Sequence, residues 1–128
     1  MTYYISRILP VAFEEVVERT RNALKAEGFG VLTEINVQET LKAKIGVDFP
    51  KYVILGACNP ALARAALRLE NKVGTMLPCN VVVRENGEGQ TEVAAIDPVA
   101  SMQAIDNPAL KQEAQVVRSK LERAVAQV

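Results

Sequence analysis

Two cysteines, each followed directly by an asparagine, are the side chains of this sequence best suited to chemistry. They form the pairs Cys58–Asn59 and Cys79–Asn80, and Asp97 follows further along the chain. A thiolate is a nucleophile, and amide and carboxylate groups bind polar ligands through hydrogen bonds. These five residues are therefore the candidate ligand-binding site. Such a site would bind a small ligand through its amide and carboxylate groups and place it beside the thiols.

The secondary structure predicted around these residues brings them to one end of a sheet. Tyr52–Cys58 is apolar on both faces, which is typical of a central strand. A second strand begins at Cys79, and a turn followed by Thr91–Ile96 completes a β-hairpin. If the first two strands run antiparallel, the end of one and the start of the other share a rim, and the hairpin returns Asp97 to it. We therefore expect the five residues to converge at that rim.

The predicted start of a helix beside Cys58 makes this thiol a candidate nucleophile. Asn59 followed by Pro60 is typical of a helix N-cap and first turn. The positive end of a helix dipole favours a thiolate, which makes Cys58 the candidate nucleophile. Capping alone also explains Asn59 and Asp97, and ordinary burial explains both cysteines.

The spacing of the two cysteines matches no metal-binding motif, so we predict no metal and no cofactor. Two alternatives for this pair stay open. The two thiolates could bind a soft metal ion, or the two cysteines could form a reversible disulfide. The chain contains no histidine, which excludes catalytic sites built on imidazole. No residue is therefore assigned a catalytic role from the sequence.

The pattern of the whole sequence predicts a single α+β domain over residues 1–128. Strand-like and helix-like segments alternate with turn residues, and an antiparallel sheet of about five strands with helices packed against it accounts for them. Gly56, inside an otherwise apolar strand, predicts a close approach by a neighbour. The alanine-rich helix that begins at Pro60 is the simplest candidate for that neighbour.

Composition excludes several classes of partner. The 128 residues include 15 basic and 15 acidic side chains, so the net charge is zero. Nucleic-acid binding needs an excess of basic residues. No apolar run is long enough to span a bilayer, and residues 1–10 lack the apolar core of a signal peptide. We therefore expect a cytoplasmic protein with free cysteines and with neither a nucleic-acid nor a membrane partner.

Three segments carry a resemblance to a known family. Cys58–Pro60, Leu77–Val83 and Ala95–Pro98 are similar to the core of the bacterial "domain of unknown function 302" family, and the similarity extends over nearly the whole chain. The resemblance implies an α+β fold with an antiparallel sheet flanked by helices, like that of the TATA-box-binding protein, and it implies a homodimer. It implies no activity, and sharing a fold with a DNA-binding protein does not imply DNA binding.

Three functions are compatible with these residues. The first expectation is a module that binds a small ligand or thiol at the rim, and not an enzyme. The second is a homodimeric structural or interaction module without chemistry, whose dimer surface comes from the first strand and the last helix. The third is a thiol-dependent redox or sulfur-transfer enzyme with Cys58 as nucleophile. The predicted partners are a second copy of the chain and a small-molecule ligand.

Overall fold

Five antiparallel strands form a sheet in the order β1-β5-β4-β3-β2. In this computed structural model, which describes residues 2–128, the strands are β1 (Tyr4–Leu9), β2 (Gly30–Asn36), β3 (Tyr52–Cys58), β4 (Cys79–Glu85) and β5 (Thr91–Ile96). The helices are α1 (Phe13–Ala26), α2 (Val37–Ile45), α3 (Pro60–Leu69), α4 (Pro98–Ser101) and α5 (Pro108–Ala126). Within residues 2–128, no helix has both the length and the apolar composition that a membrane crossing needs. The predicted α+β class with an antiparallel sheet is confirmed.

The core lies between one face of the sheet and the helices α1 and α5. In β4, Cys79, Val81 and Val83 are buried, whereas Asn80 is exposed. Because successive strand residues point to opposite faces, these three side chains mark the face that the helices cover. We call it the helical face, and the opposite one, which carries Asn80, the open face. The helices contribute Val16, Leu24, Leu121 and Val125 to this core.

Polar residues placed before prolines start three of the helices, and two of these caps, Asn59 and Asp97, are predicted from the sequence. Oδ1 of Asn59 accepts a hydrogen bond from the N–H of Leu62 at 3.2 Å. Asp97 and Asn107 cap α4 and α5 in the same way. Such a cap stabilises a helix by about 1 kcal/mol because it satisfies an N–H group that has no partner within the helix.

Position 56 has no room for a side chain, because a neighbouring strand and a proline lie close to Gly56. The alanine-rich helix is not the close neighbour. A Cβ atom at Gly56 would collide with Oγ1 of Thr33, its partner on β2, and would lie 2.8 Å from Cγ of Pro78. The prediction that α3 makes the close approach is wrong, because β2 and the segment before β4 fill that space. Any side chain at this position would push those two elements away.

Candidate functional site

The pairing of β3 with β4 brings the two cysteines to the same end of the sheet. The strands are antiparallel, as predicted, and Ala57 is the partner of Cys79, so Cys58 lies one residue beyond that pair. β5 runs antiparallel to β4 and ends just before Asp97, at the same end. The five predicted residues are therefore close in the fold, but their side chains do not all face the same way.

A cavity of about 40 Å³ lies at this end, between the sheet, α3 and α5. It is large enough for at least one water molecule. Cys58, Asn59 and Cys79 line it, so the structure brings three of the five predicted residues into one cavity. The remaining walls are mostly apolar and include Phe29, Leu62, Ala63, Ala66, Leu110, Ala114 and Val117. Within residues 2–128, no three thiol or carboxylate side chains are grouped as a metal site would require.

The two thiols differ in their exposure. Cys79 is only 8% exposed, and burial, with a smaller contribution from the neighbouring Cys58, raises the pKa of its thiol to about 11. Since the thiolate is the reactive form, this raised pKa disfavours reaction of Cys79 at neutral pH. Cys58 is half-buried and is the more accessible of the two. The role of Cys58 as nucleophile stays a prediction, but of the two thiols it is the one able to act.

Asn59 combines a capping role with a place in the cavity wall. Its Oδ1 is used by the N–H of Leu62, as described above. Its Nδ2 lies on the other side, where a Cβ atom added to Gly28 would be 3.0 Å away. Gly28 has a φ of +87°, a conformation that favours glycine, at the turn after α1. The absence of a side chain at Gly28 also leaves room for the amide of Asn59. Asn59 thereby fixes the start of α3 beside Cys58.

Asp97 and Asn80 do not line the cavity. Oδ1 of Asp97 accepts from the N–H of Val99 at 2.9 Å, and Oδ2 accepts from Nε of Arg118 at 3.0 Å. Asp97 therefore ties α4 to α5 at the edge of the site. Asn80 points to the open face, where it borders a groove on the opposite side of the sheet. Ligand binding by either side chain stays a prediction.

Glu113 on α5 is a cavity residue that the sequence reasoning missed. It lines the cavity, and its Oε2 atom is shielded from solvent and accepts no hydrogen bond from any group of residues 2–128. A buried polar atom without a partner costs about 1–3 kcal/mol. The sequence does hold a signal, because Glu113 falls three residues after Leu110 and four before Val117, inside the apolar stripe of its helix.

The family described as Domain of unknown function DUF302 matches residues 5–128 of this chain. The crystal structure of an uncharacterized conserved DUF302 protein from Bacillus stearothermophilus is similar to it, with a TM-score of 0.92 and 33% sequence identity. That similarity covers 99% of this chain and 98% of the other. No curated protein matches the chain. The chain belongs to the DUF302 family, as its sequence resemblance predicts.

We expect Glu113→Leu to stabilise the fold by about 1 kcal/mol, because it removes a buried oxygen that has no partner. Thermal unfolding would then occur about 4 °C higher. Glu122→Leu is the matched control, since Glu122 is an exposed residue of the same helix, paired with Arg118. Its replacement should change the free energy of unfolding by no more than about 0.5 kcal/mol. A destabilised Glu113→Leu protein would contradict the idea that this carboxylate strains the fold.

We also expect iodoacetamide to modify Cys58 at least about ten times faster than Cys79 in the folded, reduced protein at pH 8. With a pKa of about 11, roughly one Cys79 thiol in a thousand is ionised at that pH. The Cys79 rate should rise as the pH increases from 8 towards 11. Peptide mass spectrometry measures both rates, and Cys58→Ser isolates the slower one. Equal rates, or protection of both thiols until the protein unfolds, would contradict this ordering.

Proposed function

We propose that this member of the DUF302 family is a binding module whose cavity, at the Cys58–Cys79 end of the sheet, receives a small and largely apolar ligand. The observation that carries the proposal is that two thiols and the side chain of Glu113 line one otherwise mostly apolar cavity. Cavities that serve only packing are apolar and dry, or hold a water bonded to several polar groups. Here isolated reactive groups stand in mostly apolar walls, as is common in ligand sites.

The elements around the cavity support a preformed site. The cap by Asn59 holds the start of α3, and the ion pair of Asp97 with Arg118 holds α4 against α5. Leu110 and Leu121 are fully buried along α5, so this helix is anchored on both sides of Glu113. A site on rigid elements binds without a large ordering cost.

A thiol-dependent redox or sulfur-transfer enzyme, the alternative function, would use the same cavity with Cys58 as its nucleophile. The cytoplasmic location that we propose for the protein would keep both thiols reduced. Cys58→Ser separates the two functions, because a serine of similar size leaves a binding cavity intact but removes the nucleophile. Ligand binding that survives this substitution favours the binding module.

Xenon tests whether the cavity accepts an apolar guest, because it enters small dry cavities and needs no specific polar contact. Under xenon pressure, we expect saturable chemical-shift changes at the amides of Ala57, Cys79 and Ala114. Ala63→Leu should abolish them by filling the cavity, whereas Ala61→Leu, on the exposed side of the same helix, should not. Shift changes that persist in Ala63→Leu, or no changes at all, would refute the proposal.

Self-association is a second candidate function, and the open face of the sheet favours it. The strand register aligns Ala94, Val82, Ile54 and Ile35 in one apolar row across four strands of this face. Large apolar patches that are open to solvent mark interaction surfaces. We propose that two copies of the chain meet through this face.

The first strand extends the same surface. Tyr4 and Ile8 are paired with β5 residues of the open face, and Ile8 is 53% exposed. A groove of about 390 Å³ beside them is lined by Tyr3, Tyr4 and Tyr52. Tyrosine is among the residues that interfaces favour. The last helix packs on the helical face, so β1 and α5 do not share one surface. Of these two elements, only β1 belongs to the proposed interface.

We expect sedimentation of the purified protein at micromolar concentration to give a dimer, and Ile8→Lys to give a folded monomer, because a buried unpaired charge opposes association. Val116→Lys is the matched control, since Val116 is an exposed residue of α5, on the other side of the molecule. It should leave the dimer intact. A monomer in the unaltered protein would remove the second candidate. Dissociation by Val116→Lys alone would move the interface to the last helix.

A further inference from the structure

We infer that Cys58 and Cys79 are a redox modification site, at which a low-molecular-weight disulfide such as oxidised glutathione converts the two thiols into a reversible disulfide within the chain. The inference goes beyond the proposed function, because it needs the two thiols and no guest in the cavity. It starts from the pairing of β3 with β4, which brings together the chain's two cysteines although they are far apart in the sequence.

The register of β3 with β4 sets the distance between the two backbones. Ala57 is the partner of Cys79, and Cys58 is the next residue along β3. Neighbouring strands lie about 4.8 Å apart and each residue advances a strand by about 3.4 Å, so the Cα atoms of the two cysteines are about 6 Å apart. Disulfides join Cα atoms that are about 4.4–6.8 Å apart. The strand pairing therefore already meets the backbone requirement of a disulfide.

The two side chains meet in one space because β3 ends at Cys58. Asn59 already caps the next helix, so the alternation of a regular strand does not continue past this cysteine. Both cysteines line the cavity between the sheet and α3. Burial is the main cause that raises the pKa of Cys79, and the charge of Cys58 is the second, which requires the two sulfur atoms to be near each other. The adjoining cavity leaves room for them to turn towards each other.

The reaction begins at Cys58, which is the more accessible thiol. Its thiolate attacks one sulfur of the small disulfide, so a bond between Cys58 and a small thiol forms, the bond within the oxidant breaks, and one small thiolate leaves. Cys79 then loses its proton and attacks Sγ of Cys58, and the second small thiolate leaves. The two departing thiolates take up the two protons that the cysteines lose. Two protein thiols are thereby oxidised, and one small disulfide is reduced to two thiols.

The burial of Cys79 suits it to the second step and not to the first. Its raised pKa and its small exposure disfavour reaction with a reagent in solution. In the mixed disulfide, Cys58 carries no charge, so its contribution to that raised pKa is removed. Cys79 is also held beside the sulfur that it attacks, and such positioning replaces a collision by a step within one molecule. Cys79 is therefore the resolving thiol of the pair.

Equilibration of the full-length protein in glutathione redox buffers at pH 8 tests the inference, with folded protein compared with protein unfolded in urea. Peptide mass spectrometry after acid quenching measures the disulfide and the dithiol forms. Their ratio, with the concentrations of reduced and oxidised glutathione, gives the effective concentration of the thiol pair. We expect this concentration to be at least about tenfold higher in the folded protein, because the sheet holds the thiols together.

Two single variants separate the roles of the thiols. Cys79→Ala, which leaves no resolving thiol, should accumulate a mixed disulfide between Cys58 and glutathione. Cys58→Ser should stay unmodified while it is folded, because its remaining thiol is buried.

A mixed disulfide that persists on Cys58 of the unaltered protein would overturn the inference, as would a disulfide between two chains or the absence of any oxidised form. So would an effective concentration no higher in the folded protein than in urea, a comparison that depends on no variant. None of these results bears on the proposed function, because xenon binding requires neither thiol. A failure of the xenon experiment, in turn, would leave the disulfide standing.

Discussion

The antiparallel register of β3 with β4 is the constraint on which the site depends. It sets Ala57 opposite Cys79 at the end of the sheet, and it sets Leu55 opposite Val81 within the core. A slip by one residue would turn every buried side chain of β4 to the open face, so the core fixes the register. The positions of both thiols therefore follow from hydrophobic packing some distance away, and not from the residues that line the cavity.

Glu113 illustrates how a site can be at odds with the fold that carries it. Its helix is anchored by leucines on both sides, and an apolar residue at position 113 would continue the stripe without conflict. The burial of an oxygen without a partner instead weakens the folded state. Natural proteins tolerate such local conflicts mainly where function needs them. The fold alone therefore does not explain a glutamate at position 113, whereas ordinary burial explains each of the two cysteines.

Local sequence signals were sufficient for most of the fold. The apolar run Tyr52–Cys58 is strand β3 with the predicted bounds, and the capping roles of Asn59 and Asp97 are as predicted. These features depend on neighbours in the chain, which a single sequence displays directly. The close packing at Gly56 could not be predicted in this way, because Thr33 and Pro78 reach it only through the sheet. The separation of Asn80 from the cavity follows from a rule the sequence does offer, since adjacent strand residues point to opposite faces.

The same alternation gives the domain two separate surfaces. Cys79 belongs to the helical face and its neighbour Asn80 to the open face, so the cavity and the apolar row are on opposite sides of one sheet. Two copies that met through the open face would leave the cavity of each free for a ligand. Association and binding can then be altered independently, because residues that line one surface do not line the other. The two proposed functions, ligand binding and self-association, therefore use different surfaces of the molecule, although the sequence presents them as alternatives.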